Sequence, residues 1–341
     1  MIYFLSDYSL GAHPKVLKAL EETNLEHTDG YGHDHFSDEC EELIRKLIGK
    51  EDAKVFFFVG GSQTNVIGIT SMMKPYEGVI TPRTGHIYVH ECGGIELHGH
   101  RIFITDTIDG KLLPSEIDKT MILHEDEHTV IPRIVSITNP TENGGVYTKE
   151  ELLALRKKCD EYNLLFYMDG ARLGTALTWP ENDVTLKDMG EIFDCFYIGG
   201  TKLGALFGEA LIFTNPKALD PNFRYFVKRA GGHLAKGRLI AVQMKALLEG
   251  GEDSLYYEIG RKENEMAIHL REEILKKGYS LWLPHETNQI FVIVDNKKIE
   301  DLNTKFMFYT WCPYDETRSV IRLVINWNTK EEEIDALLKE L

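Results

Sequence analysis

The chain has 341 residues, a formal net charge of −16 and 43% hydrophobic residues, enough for a large core and two domains at about 150 residues each. Acidic and basic residues interleave along helix-like stretches, so no basic face suited to a phosphate backbone is expected, which argues against nucleic acid as a partner. Five scattered cysteines (Cys40, Cys92, Cys159, Cys195, Cys312) without CxxC spacing argue against a disulfide framework or zinc knuckle and for reduced thiols in the cytoplasm; MIYFLSDYSLG shows no basic leader, and no run approaches the ~18 apolar residues of a membrane span.

Residues 54–59 (KVFFFV) predict a buried strand, Gly60-Gly61-Ser62 a glycine turn, and Gln63 to about Met73 a helix. A glycine turn that opens a helix suits an anion: Gly61 lets the backbone approach closely, Ser62 adds a hydroxyl, and the helix end supplies N–H groups. The same residues also fit an ordinary capped turn. Strand patterns recur at 78–81, 101–105, 133–138, 164–168, 193–198 and 209–214. Between them, His86 lies in GHIYVHECGG, where an imidazole could stack on a planar ring or move a proton, although any one of thirteen histidines can equally be a surface or satisfied core residue. The clearest helix, 148–162, opens on a Thr148 cap with Glu151 three residues on. Strands alternating with helices predict an α/β fold, a mainly parallel sheet with helices on both faces.

Beyond residue 240 the pattern changes to a long charged helix (254–277), strands near 289–294 and 319–325, and an amphipathic helix from Thr329 to Leu341. The predicted organisation is a large domain, 1–240, with an N-terminal arm, and a smaller α+β domain, 241–341, with Gly250-Gly251 near the hinge.

Four segments carry candidate chemistry. The apolar run ending in Asp169 (YMDGAR) and the later Gly200-Thr201-Lys202 would set a carboxylate and an amine at neighbouring strand ends, where such sheets bind ligands. That pairing suits pyridoxal 5'-phosphate, whose aldehyde needs a lysine and whose ring nitrogen needs an acid. Asp-Gly and Gly-Thr-Lys are also ordinary turn sequences. His124-Glu125-Asp126-Glu127-His128 matches HExxH, but with Pro132 close behind and three acids in five residues it is expected to be a solvated loop; a zinc hydrolase using His124 and His128 is the remote alternative, and no metal is assigned. Arg172, three residues past Asp169, and Arg322, within the apolar SVIRLVI, could each hold a carboxylate in a two-point contact, or serve as a salt bridge and an edge-strand residue respectively.

In order along nearly the whole chain, Ser6-Asp7, Tyr31-Gly32, Gly61-Ser62-Gln63-Thr64-Asn65, His86 with Glu91 and Gly93-Gly94, Asp169-Gly170-Ala171-Arg172, Lys202 and Arg322-Leu323-Val324 resemble the threonine aldolase and aromatic amino acid β-eliminating lyase family, of the aspartate aminotransferase fold type. The resemblance implies a pyridoxal 5'-phosphate enzyme that cleaves L-threonine or L-allo-threonine to glycine and an aldehyde, or a β-eliminating lyase acting on another amino acid. It implies Lys202 as the lysine bound to the cofactor, Asp169 as partner of the ring nitrogen, His86 stacked on the ring, and Gly61 with Ser62 around the phosphate. Ser6, Arg172 and Arg322 would bind the substrate carboxylate, Arg172 lying beside the cofactor as well. Active sites shared across a homodimer or homotetramer would give Tyr31 and Lys236 to a neighbouring site. Two positions depart from the better-known aldolases: Leu5 stands where they carry Arg, and Glu142, in NPTENG, falls at or beside the place of an active-site histidine. His86, Glu142 and Lys202 are the candidates for the base.

Overall fold

The computed structural model describes residues 1–341 except 108, 125, 285 and 286. Among the described residues, a central sheet is built from β1 (Lys54–Phe58), β2 (Glu77–Pro82), β3 (Arg101–Thr105), β4 (Ile131–Thr138), β5 (Leu165–Asp169), β6 (Cys195–Gly199) and β7 (Glu209–Phe213), in the spatial order β1-β7-β6-β5-β4-β2-β3. Only β7 runs antiparallel to its neighbours, β1 and β6; the other pairings are parallel. The strands predicted from apolar runs all form, with ends shifted by at most two residues. Every residue of β5, β6 and β7 is buried, the pattern of strands covered on both faces.

The predicted cap at Thr148 forms as a full capping box over Lys149–Glu161: Thr148 Oγ1 accepts from the Glu151 N–H, and Glu151 reaches back to the Thr148 N–H. Such a cap stabilises a helix by about 1 kcal/mol. The glycine turn also forms, with Gly60 extended and the helix Gly61–Ser71 starting directly after it.

A second sheet holds β8 (Ser280–Leu281), β9 (Gln289–Asp295), β10 (Tyr309–Pro313) and β11 (Arg318–Val324) in the order β10-β11-β9-β8. The helix Leu255–Lys276 joins two cores, with Leu255 to Ile259 packed among side chains of the large sheet and Met266 to Ile274 against β9, β11 and the C-terminal helix Glu331–Glu340. The N-terminus belongs to the second core. Ile2–Tyr3 pairs in parallel with Phe306–Met307, the Phe4 N–H donates to Met307 O, and Phe4 itself is fully buried. This anchorage holds Leu5 to Tyr8 between the two sheets. No helix among the described residues is long and apolar enough to cross a membrane.

Candidate active site

The sheet order explains how distant parts of the sequence meet. The parallel strands β6, β5, β4 and β2 are spatial neighbours, and the chain leaving their C-terminal ends carries Lys202, Asp169, Glu142 and His86 respectively. β1, parallel to β6 across β7, delivers Gly61 and Ser62 on the same edge. Ligands of open α/β sheets bind along this edge.

Close backbone packing fixes the two central strand ends. A Cβ on Gly170 would lie 1.9 Å from the Tyr197 carbonyl oxygen, and the Gly199 N–H donates to Gly170 O at 3.0 Å. Past β6, Lys202 sits in a single 3-10 turn, Thr201–Leu203, held by the buried Glu209. Glu209 accepts from the Gly200 N–H (2.9 Å) and Thr201 Oγ1 (2.7 Å); burial pushes its carboxyl up to about 7, against the lowering effect of those bonds and of Lys202. The amine of Lys202 lies 5.8 Å from the centre of the Tyr8 ring, on the N-terminal arm.

Asp169 anchors a buried polar chain. Its Oδ1 accepts from Tyr197 Oη (2.5 Å) and the Ala171 N–H (3.0 Å), and its Oδ2 from Asn65 Nδ2 (2.8 Å). The same Asn65 amide donates to Glu91 Oε1 (2.7 Å) and accepts from Tyr167 Oη (2.8 Å), and Glu91 Oε1 in turn meets His86 Nδ1 at 2.9 Å. Burial lowers the basicity of His86, but the Glu91 bond and the charges of Asp169 and Glu142 outweigh it and raise the imidazole above its ordinary value. Burial also raises Glu91, against the lowering effect of its bonds to His86 and Asn65. Gly61 touches this chain: a Cβ there would lie 2.9 Å from Tyr197 Oη.

Lys202, His86, Glu142, Arg172, Arg322 and Ser6 line one cavity of about 340 Å³, together with Leu5, Asp7, Tyr8, His90, Tyr309 and Trp311. Arg172 is buried in a two-point ion pair with Asp7, Nη2 to Oδ2 at 2.7 Å and Nε to Oδ1 at 3.3 Å. Burial alone would raise the Asp7 carboxyl, but Arg172, Lys202 and the Asn288 amide bring it down to about 2. Arg322 is not on an edge strand: β11 has neighbours on both sides, and the guanidinium lies 5.1 Å from both the Tyr309 and Trp311 rings. Its Nη1 reaches Gln289 at 3.3 Å, while its buried Nε has no partner among the described residues. Two guanidinium groups therefore face one cavity, each near a buried or π-rich wall, an arrangement suited to a planar carboxylate.

Tyr31 and Lys236 lie outside this cavity, both exposed. Their segments touch, the Tyr31 N–H donating to Ala235 O at 3.1 Å, and the Lys228 amine stands 5.4 Å from the Tyr31 ring. His124 and His128 lie on turns after the helix Pro114–Ile122, not within one helix as HExxH zinc chemistry requires, and Glu125 falls outside the described residues.

Asn65, Tyr197, Glu209, Asp7, His90 and the aromatic pair Tyr309 and Trp311 were not singled out from sequence. Asn65 and Asp7 lie inside quoted motifs, and His90 stands four residues after His86, so proximity to candidates was the available signal. The fit to pyridoxal 5'-phosphate rests on donor chemistry. A buried amine at one strand end, a carboxylate held by three donors at the next, and a glycine cradle at a helix N-terminus match an aldehyde, a ring nitrogen and a phosphate.

A family model described as beta-eliminating lyase matches residues 4–297. The low specificity L-threonine aldolase of a Pseudomonas species (strain NCIMB 10558) is 31% identical, with the alignment covering 99% of this chain and 96% of that protein. The solved structure of a Leishmania major threonine aldolase superposes with a TM-score of 0.97 at 40% identity, covering 99% of this chain and 98% of the other. An aspartate aminotransferase double mutant from Thermus thermophilus, with TM-score 0.74 at 15% identity over 100% of this chain and 90% of its own, shares the fold.

Proposed function

The chain belongs to the beta-eliminating lyase family, and on that premise we propose that it is a pyridoxal 5'-phosphate-dependent aldolase that cleaves L-threonine, L-allo-threonine and related β-hydroxy-α-amino acids to glycine and an aldehyde. The observation that carries this is the convergence of Lys202, Arg172 and Arg322 on one cavity beside the Asp169 chain. The names of the relatives at 31% and 40% identity support the substrate class.

Lys202 would hold the cofactor's aldehyde carbon, Asp169 its ring nitrogen, Gly61 and Ser62 its phosphate, with Arg172 alongside, and His86 would face its ring. Bound there, the cofactor supplies an electron sink for the pair left at Cα when a bond to that carbon breaks. The protein's own groups do the rest. Arg172 and Arg322, with Ser6, clamp the substrate carboxylate so that one bond at Cα is oriented for cleavage. Asp169, fixed by Tyr197, Ala171 and Asn65, presents a carboxylate that needs no reorganisation. His86, Glu142 and Lys202 stand within the cavity as proton carriers.

Tyr31 and Lys236 are assigned to the cavity of a second copy, in a homodimer or homotetramer, because both are exposed and lie away from their own. The division into a cofactor-holding part, 1–240, and a smaller part, 241–341, goes with this reading, since Arg322 and its aromatic neighbours are what the latter adds to the site. A cytoplasmic location belongs to the same reading.

The test is a product assay of holoenzyme with threonine, allo-threonine, serine, cysteine and tryptophan. Glycine with acetaldehyde is the expected result from threonine. Ammonia with a keto acid, and no glycine, would replace it with the β-elimination reading.

A further inference from the structure

Cleavage of a β-hydroxy amino acid requires that the hydroxyl lose its proton as the Cα–Cβ bond breaks, so the site needs a neutral acceptor within the cavity. His86 is a poor one, since its Nδ1 is held 2.9 Å from Glu91 and that contact favours its protonated form. Four residues on, just past the short helix His86–Val89, a second imidazole faces the same cavity: His90, its ring centre 5.5 Å from that of His86. The carboxylate of Glu142, on the loop leaving β4, lines the cavity with it.

We infer that His90 accepts the proton of the substrate's β-hydroxyl group, and that Glu142 stabilises the imidazolium so formed. The inference rests on the aldolase reading. In the step, the hydroxyl O–H bond breaks and its proton passes to a ring nitrogen of His90. The oxygen pair becomes the second bond of the aldehyde carbonyl, and the Cα–Cβ pair stays with Cα, which later takes up a proton to give glycine.

The surroundings suit this direction. Partial burial and the cationic groups His86, Arg322 and Lys202 keep His90 less basic than an ordinary histidine, while Glu142 opposes them. The uncharged imidazole is thus favoured before the step, and Glu142, which lines the same cavity, acts in the opposite sense. Because its side chain makes no hydrogen bond among the described residues, its replacement is expected to leave the fold intact.

The test compares two reactions of the holoenzyme that share the cofactor. Exchange of the glycine Cα proton with D2O, followed by NMR, needs no hydroxyl base; threonine cleavage does. The expected result for His90→Asn is a fall of about 100-fold in kcat for threonine, with glycine exchange within about threefold of wild type. Parallel loss of both reactions, or unchanged cleavage, overturns the inference. A wild-type enzyme that exchanges glycine but cleaves no β-hydroxy amino acid overturns the aldolase reading itself. A second readout needs no turnover: in the apoprotein, Glu142→Gln is expected to lower the NMR titration midpoint of His90, and an unmoved midpoint removes Glu142 from the pair.

Discussion

Arg172 and Asp7 form a buried two-point ion pair, 2.7 Å and 3.3 Å, across the cleft between the N-terminal arm and the strand end that carries Asp169. The pair ties Arg172, a residue of the proposed carboxylate clamp, to the arm whose residues 2–4 are anchored in the second core by pairing with Phe306–Met307. Asp7→Ala leaves the Arg172 charge buried without its counterion, and breaking such pairs costs about 3–5 kcal/mol. The expected outcome is a lower urea midpoint together with a raised KM, read from denaturation curves and initial rates.

The same pair sets an acid limit. Asp7 has its folded-state value lowered to about 2 from 3.8, so its stabilisation is present above pH 4 and is lost as pH falls through 2. The difference corresponds to about 2 kcal/mol. Wild type is expected to lose stability across that window, and Asp7→Asn, destabilised throughout, to lose about 2 kcal/mol less, measured by urea denaturation from pH 5 to pH 2.

Much of this site was legible because its residues end apolar runs. Asp169 ends one buried strand and Lys202 follows another, the apolar character of each marking its end, and glycines sit where backbone must pass closely, at Gly61 and Gly170. The partners of those residues were not legible. Asn65 reaches Asp169 from 104 positions away and Asn288 reaches Asp7 from 281, contacts that depend on strand order and have no local pattern. Arg322 was expected to bind a carboxylate or face water from a sheet edge; only the pairing of β11 on both sides, with Tyr309 and Trp311 beside it, shows that it is enclosed. Single sequence runs locate strand ends, and tertiary packing decides what meets there.

Glu91 tunes His86 through one short contact. Glu91→Gln replaces the carboxyl that raises the imidazole with a neutral amide, so the His86 titration midpoint is expected to fall, observable by NMR in the apoprotein. The sign also fixes a stability effect. A histidine raised in the folded state contributes below its unfolded value near 6.5 and stops contributing as pH rises through the raised value. The variant's deficit relative to wild type should therefore shrink from pH 6 toward pH 9.

Lys202→Arg keeps a cation near Asp7 but removes the amine that would bind the cofactor covalently. Turnover is expected to fall by roughly 1,000-fold or more. Borohydride treatment of wild-type holoenzyme should leave a pyridoxyl group on the peptide containing Lys202, and mass mapping of the variant should find none. An unlabelled wild-type Lys202 would remove the central assignment.

Arg322 offers the cleanest separation of binding from stability. Among the described residues it forms no ion pair, unlike Arg172, its Nε has no partner, and its guanidinium lies 5.1 Å from the centres of two aromatic rings. A lysine there keeps the charge but loses the planar fork and the stacking. A charge-assisted hydrogen bond is worth about 1.5–3 kcal/mol, which corresponds to a KM raised by roughly 10- to 150-fold. Arg322→Lys is thus expected to raise the KM for threonine within that range, with a smaller change in kcat and an unchanged urea midpoint. If kcat falls as far as kcat/KM while KM stays constant, Arg322 acts on the reacting bond and not on the carboxylate.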